Sequence, residues 1–498
     1  MLFRSGGLPE YQNYGRQIGA QPGSQIQVLF APATYLDVQR VDATVLPLST
    51  GGARPDDAVP FTNRATAFTA YADKRVIQYA QNFNLSIQRE LSRDVTFDVS
   101  YIGNKGTKLW GSTELNHVNI FENGILNAFN VTRAGGNAPL FDRIFMGLNV
   151  PGAGVVNGAT LTGSQALRRY TNTNQFIANG EVAAFANFLN TTAAITGENG
   201  GLLRRVGLPE NFIVVNPQFG SVALHGNPDN STYHALQTQV TKRLSQGVSG
   251  QFSYTWSKSL GSTGVRDPRI LSLSKSLNSF HRTHNVKSHG TWTLPFGPNR
   301  ALLANAPSWV HRIVEGWDVS GVLSWTSGAP LTFSSSRQTL TNRGSNTADL
   351  VGTLPQNQGR VQVANGGIVT YFSELSTAAA PAPNFGGDTA VLGRFTNQVV
   401  VDKSGKIVLQ NPAAGTTGNT AVRRPGLEGP GDLGLDVALS KRVRIRENKS
   451  FTLRADAINA LNTSRWGNPN TDINSASFGR VTTAGGARTI TINARLDF

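Results

Sequence analysis

The chain has 498 residues, of which 39% are hydrophobic and 15% charged, and it contains 53 glycines and no cysteine. Without cysteine a disulfide scaffold is impossible, and the small net charge per residue argues against intrinsic disorder. The net charge of +15 comes from scattered Lys and Arg rather than from dense basic blocks, so we expect no nucleic-acid partner. No apolar run reaches the length of a transmembrane helix.

The start of the chain carries no visible export signal. Residues 1–6 (MLFRSG) lack the apolar stretch that a signal peptide needs. If the protein is exported, this start implies that its natural N-terminus lies upstream of Met1.

Two hairpins are predicted as the chain is followed. Apolar and polar residues alternate over 82–91 and 95–105, with a polar turn at 92–94 between them. The same pattern covers 236–244 and 248–258, on either side of a turn at 245–247. Strict alternation predicts strands with one apolar and one polar face, and a short polar turn between two such runs predicts a hairpin.

The remaining alternating runs extend to the last residue of the chain. They lie near 285–294, 317–326, 433–440, 451–457 and 488–498. A terminal strand of this kind that ends in an aromatic residue is what the barrel-assembly machinery of bacteria recognises, so we expect that machinery as a partner. The predicted assembly signal consists of Phe498, Leu496, Ile492 and Ile490.

The connections between these runs differ in length on two sides of the predicted sheet. The side with short connections has turns at 92–94, 245–247 and 446–449, together with the longer segment 295–315. The other side has the long segments 106–231, 259–283, 327–431 and 460–487. Short turns on one side and long loops on the other are typical of outer-membrane barrels.

We therefore predict an all-β fold, a transmembrane antiparallel β-barrel that is part of a larger barrel and has long extracellular loops. In lipid every backbone polar group must be paired, which strands achieve only in a closed barrel. The predicted location is the cell outer membrane, with its lipid as a partner. Residues 1–80 are assigned to N-terminal strands and loops of the barrel, and 81–498 to the C-terminal barrel region.

Side-chain type then assigns each face of the predicted strands. Apolar side chains would face lipid, and polar ones a wet interior. The lumen-facing candidates are Arg243, Gln251, Arg454, Asp456 and Arg495. Aromatic residues near strand ends would form belts at the two membrane interfaces; these are Tyr101, Trp256, Trp292, Trp317 and Trp325.

Several short segments, in order along residues 80–498, resemble the barrel domain of TonB-dependent, Oar-like outer-membrane receptors. They are 84–89 (NLSIQR), 99–106 (VSYIGNKG), 253–259 (SYTWSKS), 281–285 (HRTHN), 316–317 (GW), 327–330 (SGAP), 424–426 (RPG), 457–462 (AINALN), 466–470 (WGNPN) and 477–480 (SFGR).

The resemblance implies a barrel of about 22 strands, within the size range of such proteins. It also implies an internal plug and energy supplied by an inner-membrane TonB complex. Neither a plug nor a TonB box is visible, and we count nearer 12–16 strands. A contact with the TonB complex would thus require a missing N-terminal region.

No catalytic, cofactor or metal site is predicted. The stretch 429–434 matches a dinucleotide fingerprint only in its glycine spacing, because it leads into a strand rather than a helix. His281, His284 and His289 fall on alternating faces without a carboxylate or Cys beside them. We expect a receptor or transporter barrel for an unknown external ligand and no enzyme. The alternatives are a structural or adhesive surface protein without transport, or a soluble all-β protein that binds polyanions.

Overall fold

The computed structural model describes residues 59–262, 266–298, 300–344, 346–355, 359–364, 366–446 and 449–497. Most of these residues form strands or the segments that connect them. In chain order the strands are β1 (Ala67–Tyr71), β2 (Tyr79–Ser92), β3 (Val95–Glu114), β4 (Asn149–Val150), β5 (Gly154–Val155), β6 (Ser221–Ser245), β7 (Val248–Ser262), β8 (Lys275–Leu277), β9 (His284–Thr293), β10 (Trp317–Thr326), β11 (Asp349–Leu350), β12 (Gln362–Val363), β13 (Val369–Thr370), β14 (Leu375–Ala379), β15 (Gln398–Asp402), β16 (Ile407–Gln410), β17 (Asp432–Arg446), β18 (Lys449–Ile458), β19 (Arg465–Trp466), β20 (Ala484–Gly485) and β21 (Thr489–Asp497).

The described helices are short and lie in the connections. They are α1 (Ile125–Arg133), α2 (Pro139–Phe145), α3 (Gly163–Arg169), α4 (Thr171–Asn179), α5 (Val182–Thr191), α6 (Gly201–Arg204), α7 (Ser308–Val314) and α8 (Thr389–Leu392), with a 3₁₀ turn at Leu271–Ser274. Within the described residues, none of them has the length and apolar character needed to cross a bilayer.

Within the described residues, nine long strands form one sheet, the main sheet, in the order β2-β3-β6-β7-β9-β10-β17-β18-β21. Every neighbouring pair on this path is antiparallel, and β1 and β8 add short pairings to β6 and β7. Because long strands that are consecutive in the chain are also neighbours in space, the main sheet is a meander. This confirms the predicted antiparallel all-β architecture.

Both predicted hairpins are present. Ser92 pairs with Val95 across the first turn, and Ser245 pairs with Val248 across the second. In the second turn Gln246 and Gly247 have φ of 52° and 79°. Two consecutive residues with positive φ make the type I′ turn, whose twist matches that of the flanking strands, and glycine adopts this conformation without steric cost.

The predicted segregation of connections is also confirmed. Strand pairs β2–β3, β6–β7, β9–β10 and β17–β18 are joined at one end of the main sheet, the short-turn end, and the long segments all join strands at the other end. The expected segment 106–231 was too long, because β3 continues to Glu114 and β6 begins at Ser221. The register of β3 and β6 shifts between Gly106 and Gly111, and the pairing continues beyond these shifts to Glu114.

The two faces of the main sheet separate apolar from polar side chains. One apolar row runs across six strands in register, through Val248, Trp292, Val319, Leu439, Ala455 and Ile492. On this face Ile87 and Ile492 are 68% and 71% exposed. Apolar side chains left this open within a well-paired sheet fit a surface that faces lipid.

The long connections fold into a second structure, the cap, defined as the described residues of 115–220, 266–283, 327–431 and 459–488. Helices α1 to α6 enclose a hydrophobic core that includes Phe129, Phe141 and Phe185, and Phe385 from the third segment packs into it. The helices and the core inside these long segments were not predicted. The sequence signal for one helix was present, since the side chain of Thr162 accepts from the N–H of Gln165 in a capping box.

A second core lies in the later part of the cap. Strands β11, β16, β15 and β14 form a four-stranded sheet, and Phe333, Phe372 and Leu409 are buried beside it. Ile473 and Val481, from the connection before β21, complete this core. The cap therefore joins segments that are far apart in the chain.

The predicted count of 12–16 barrel strands exceeds what the described residues contain, which is nine long strands. Among the described residues, the long connections fold into the cap and add short strands to separate sheets instead of further long strands to the main sheet. Most of the predicted N-terminal barrel segment, residues 1–58, lies outside the described residues. Within the described residues β2 and β21 each pair with one neighbour only. The predicted division of the chain at residue 80 stays a prediction.

Candidate functional site

The polar face of the main sheet forms a cavity of about 490 Å³, which we call the polar cavity. Six strands contribute to it, from β6 through β18. Its polar lining includes Thr241, Gln251, His289, Asp436, Arg454 and Asp456. Three of the five predicted lumen-facing residues, Gln251, Arg454 and Asp456, are thus brought together.

The strongest electrostatic contact in the polar cavity joins two neighbours on one face of β18. Arg454 contacts Asp456 at 2.8 Å, and Asn493 of β21 donates to the same carboxylate at 3.4 Å. The arginine side chain is 50% exposed and the aspartate 29%. An ion pair this open to water adds little stability, so its charges are available to a polar solute.

Other polar groups of the cavity are fixed by local contacts. The backbone N–H of Asn459 donates to Asp436 Oδ1 at 2.8 Å, which ties the start of one long connection to β17. The hydroxyls of Ser249 and Thr291 bond each other at 2.7 Å across β7 and β9. These contacts hold the Asp436, Ser249 and Thr291 side chains in fixed orientations beside the polar cavity.

The other two lumen candidates lie near the short-turn end. Arg243 lies 3.7 Å from Glu90, with both side chains 66% exposed. Arg495 contacts Asp497 at 2.7 Å. Neither residue lines the polar cavity, so three of the five candidates lie in the polar cavity and two lie near the short-turn end. That all five face a lumen stays a prediction.

Three residues of the predicted assembly signal lie together on the exposed apolar face of β21. Ile490, Ile492 and Leu496 pair in register with Ala457, Ala455 and Phe451 of β18. Phe498 lies outside the described residues. Recognition by the assembly machinery stays a prediction.

The three histidines considered as metal ligands have different surroundings. His281 is buried at the edge of the cap, where its Nδ1 accepts from the N–H of Ser259 at 3.3 Å, and burial lowers its pKa. His284 bonds the Tyr254 hydroxyl at 2.8 Å on the apolar face. His289 lines the polar cavity. They do not converge on a common point.

Aromatic side chains mark two levels on the apolar face. Towards the cap, Tyr101 bonds His234 at 2.8 Å, and His284 stacks on Trp325 with ring centroids 6.4 Å apart. Neither Tyr–His pair was predicted, although both contacts join adjacent strands of the meander. Towards the short-turn end the aromatic residues of this face include Trp292 and Trp317.

The spacing of these two levels matches a bilayer. His284 and Trp292 lie on the same face of β9, eight residues apart, which is about 27 Å along a strand. At a tilt of about 40° this corresponds to roughly 20 Å, close to the apolar band of an outer-membrane barrel. The two levels therefore suit the two interfaces of one membrane.

Comparison with known proteins places these features in a family. Residues 7–491 match the family described as outer membrane beta barrel domain. No curated protein matches the chain. Among solved structures, the outer-membrane transporter YddB from Escherichia coli has 9% identity and a TM-score of 0.34, with 87% of this chain and 34% of that chain covered.

A second solved structure is the ferripyoverdine receptor of the outer membrane of Pseudomonas aeruginosa. It has 7% identity and a TM-score of 0.30, with 84% of this chain and 27% of that chain covered. This chain thus spans about a third of the length of these two proteins or less. Since the family match covers nearly the whole sequence, the chain belongs to the outer-membrane β-barrel domain family and is located in the outer membrane.

Proposed function

We propose that the chain is the barrel region of an outer-membrane receptor or transporter of the TonB-dependent type, whose cap captures an external ligand. The observation that carries this proposal is the polar cavity on the polar face of the main sheet. Its Arg454 and Asp456 side chains are partly open to water and can contact a polar solute.

The TonB-dependent type is supported by the ordered segments that resemble such receptors, among them 84–89 and 253–259. On this proposal the inner-membrane TonB complex and the barrel-assembly machinery are partners. We propose binding and passage of the ligand without catalysis. In the polar cavity the hydroxyls of Ser249 and Thr291 bond each other rather than a base, and Arg454 is paired with Asp456.

Transport can be tested in the native host by comparing uptake of labelled small solutes, ferric chelates included, with and without the gene. The proposal expects uptake of at least one solute to require both the protein and the proton-motive force. An Arg454→Ala, Asp456→Ala double variant should reduce that uptake, whereas Arg243→Ala at the short-turn end should not. Uptake that persists without the proton-motive force would replace this proposal with a passive channel. No solute-dependent difference would favour the structural or adhesive alternative.

Orientation can be tested separately, because the chain has no native cysteine. Lys403 is an exposed residue of the cap, and Arg93 is an exposed residue of the first tight turn. In intact cells a membrane-impermeant maleimide should label Lys403→Cys but leave Arg93→Cys unlabelled until the outer membrane is permeabilised. The reverse pattern would rule out capture of external ligands by the cap.

A further inference from the structure

A second cavity, of about 380 Å³, opens on the apolar side of the main sheet near the cap; we call it the belt pocket. Its floor is formed by Tyr101 of β3, Leu236 of β6 and Trp256 of β7, which are 41%, 39% and 55% exposed. Leu277 of β8 supplies an apolar wall. The volume falls within the range of about 300–1,000 Å³ that is usual for small-molecule sites.

The cap and β8 supply one side of the belt pocket, through Leu277, His281, Thr283, Pro425 and Gly426. The segment that follows β8 runs beside β7, with the N–H of Ser257 donating to Thr283 O at 3.0 Å and that of Asn278 to Ser259 O at 3.1 Å. Pro425 and Gly426 close the pocket from another connection. The belt pocket is thus continuous with the lipid-facing surface below and covered by the cap above.

The rim of the belt pocket is cationic. His234 and Lys258 face each other in register on β6 and β7, and both line the pocket. Lys258 is exposed and forms no ion pair within the described part of the chain. The lining includes no carboxylate. Glu428, which acts electrostatically on the nearby His281, accepts a hydrogen bond from the Thr283 hydroxyl.

The belt pocket lies at the membrane depth where lipid headgroups meet acyl chains, and its lining is cationic above and apolar below. Tyr101 and Trp256 belong to the aromatic level near the cap, and aromatic belts lie at the depth of lipid headgroups. An unpaired lysine at this depth attracts an anionic headgroup, while an apolar floor directly below it suits an acyl chain. An apolar ligand alone would leave Lys258 without a counter-ion, and a free anion would leave the apolar floor empty.

We propose that the belt pocket binds a membrane lipid whose phosphate-bearing headgroup carries a net negative charge. The acyl chain packs against Leu236, Trp256 and Leu277, and the phosphate contacts Lys258 with His234 beside it. The lipid binds on the outside of the barrel wall, so this site is separate from the polar cavity and from any transported ligand.

The test uses the full chain in a neutral detergent and measures lipid retention by native mass spectrometry. Phosphatidylglycerol and phosphatidylcholine with identical acyl chains are compared, with inorganic phosphate as competitor. We expect preferential retention of phosphatidylglycerol and little competition by phosphate. Equal retention of both lipids, or displacement by inorganic phosphate at concentrations comparable to the lipid, would overturn the proposal.

Two variants locate the site. Lys258→Gln should weaken phosphatidylglycerol retention about fivefold, the effect of one lysine near a membrane surface. Lys287→Gln is the matched control, because Lys287 is an exposed lysine on the opposite, polar face of β9. Trp256→Ala should weaken retention of both lipids. Heat-modifiable gel mobility verifies that each variant is folded, and equal effects of the two lysine variants would contradict the proposal.

Discussion

The cap and the main sheet place their apolar side chains in opposite ways. In the cap the largest apolar side chains, such as Phe129, Phe141 and Phe185, are fully buried. In the main sheet, Leu85, Ile87 and Ile492 are all more than 60% exposed. One chain thus contains two regions that keep apolar surface away from water in different ways. The cap buries it in its own core, and the main sheet presents it to lipid.

The largest expected effect comes from the cap core. Phe185 contacts both Phe129 and Phe141, with ring centroids 5.3 Å from each. Phe185→Ala should destabilise the cap by about 3–5 kcal/mol, because it leaves a cavity that the neighbours cannot fill. Limited proteolysis of the purified protein should then cut the cap at lower temperature. Leu85→Ala, on the lipid face, is the control and should leave the cap as resistant as before.

The next substitution inverts the polarity of the lipid face. Leu323 and Val322 are adjacent on β10, with Leu323 on the apolar face and Val322 lining the polar cavity. Leu323→Arg should destabilise the folded barrel by about 2–4 kcal/mol, the penalty for a cation deep in the apolar band. Val322→Arg should be tolerated. Unfolding in lipid vesicles, followed by gel mobility, compares the two, and equal penalties would mean that the faces are wrongly assigned.

A smaller effect is expected where two strands approach closely. A Cβ on Gly290 would lie 2.8 Å from the backbone O of Ser249, whereas a Cβ on Gly321 meets its nearest atom at 3.8 Å. Gly290→Val should therefore force β7 and β9 apart and destabilise the sheet by about 1–3 kcal/mol, and Gly321→Val should cost less. The same unfolding assay measures both, and a larger loss for Gly321→Val would refute the close-approach argument.

The smallest effect concerns pH and the cap. Burial raises the pKa of Glu181, and the attraction of Arg337 at 3.6 Å only partly opposes this. A carboxyl whose pKa is higher in the folded state stabilises the fold below its unfolded pKa, and this contribution is lost as pH rises through the folded value. Glu181→Gln should therefore gain in cap stability relative to the wild type as the pH rises above the ordinary pKa of a glutamate, about 4.3. Thermal unfolding on both sides of that pH measures it, and a relative loss would contradict the sign.

The same contrast explains what the sequence could predict. Strands such as β7 and β21 alternate strictly because lipid and water impose opposite demands on adjacent side chains, so period-two patterns located them within a few residues. The cap helices have ten residues or fewer, which gives few turns of apolar repeat. Their shared core depends on Phe385, about 200 residues further along the chain. Packing contacts between residues so far apart in the sequence leave no repeating pattern in either segment.

The polar cavity illustrates the same limit. Gln251, Arg454 and Asp456 could be assigned to the polar face from alternation alone. That they line one cavity follows from the order and register of six strands, which no local motif encodes. The belt pocket was not predicted, because five of its twelve lining residues come from segments that the sequence analysis assigned to long connections.

The number of long strands limits how the main sheet can close into a cylinder. The described meander has nine long strands, an odd number, so β2 and β21 both run from the cap towards the short-turn end. If those two strands met directly, they would form a parallel seam. A cylinder with antiparallel neighbours throughout needs an odd number of further strands between them, whichever polypeptide supplies them.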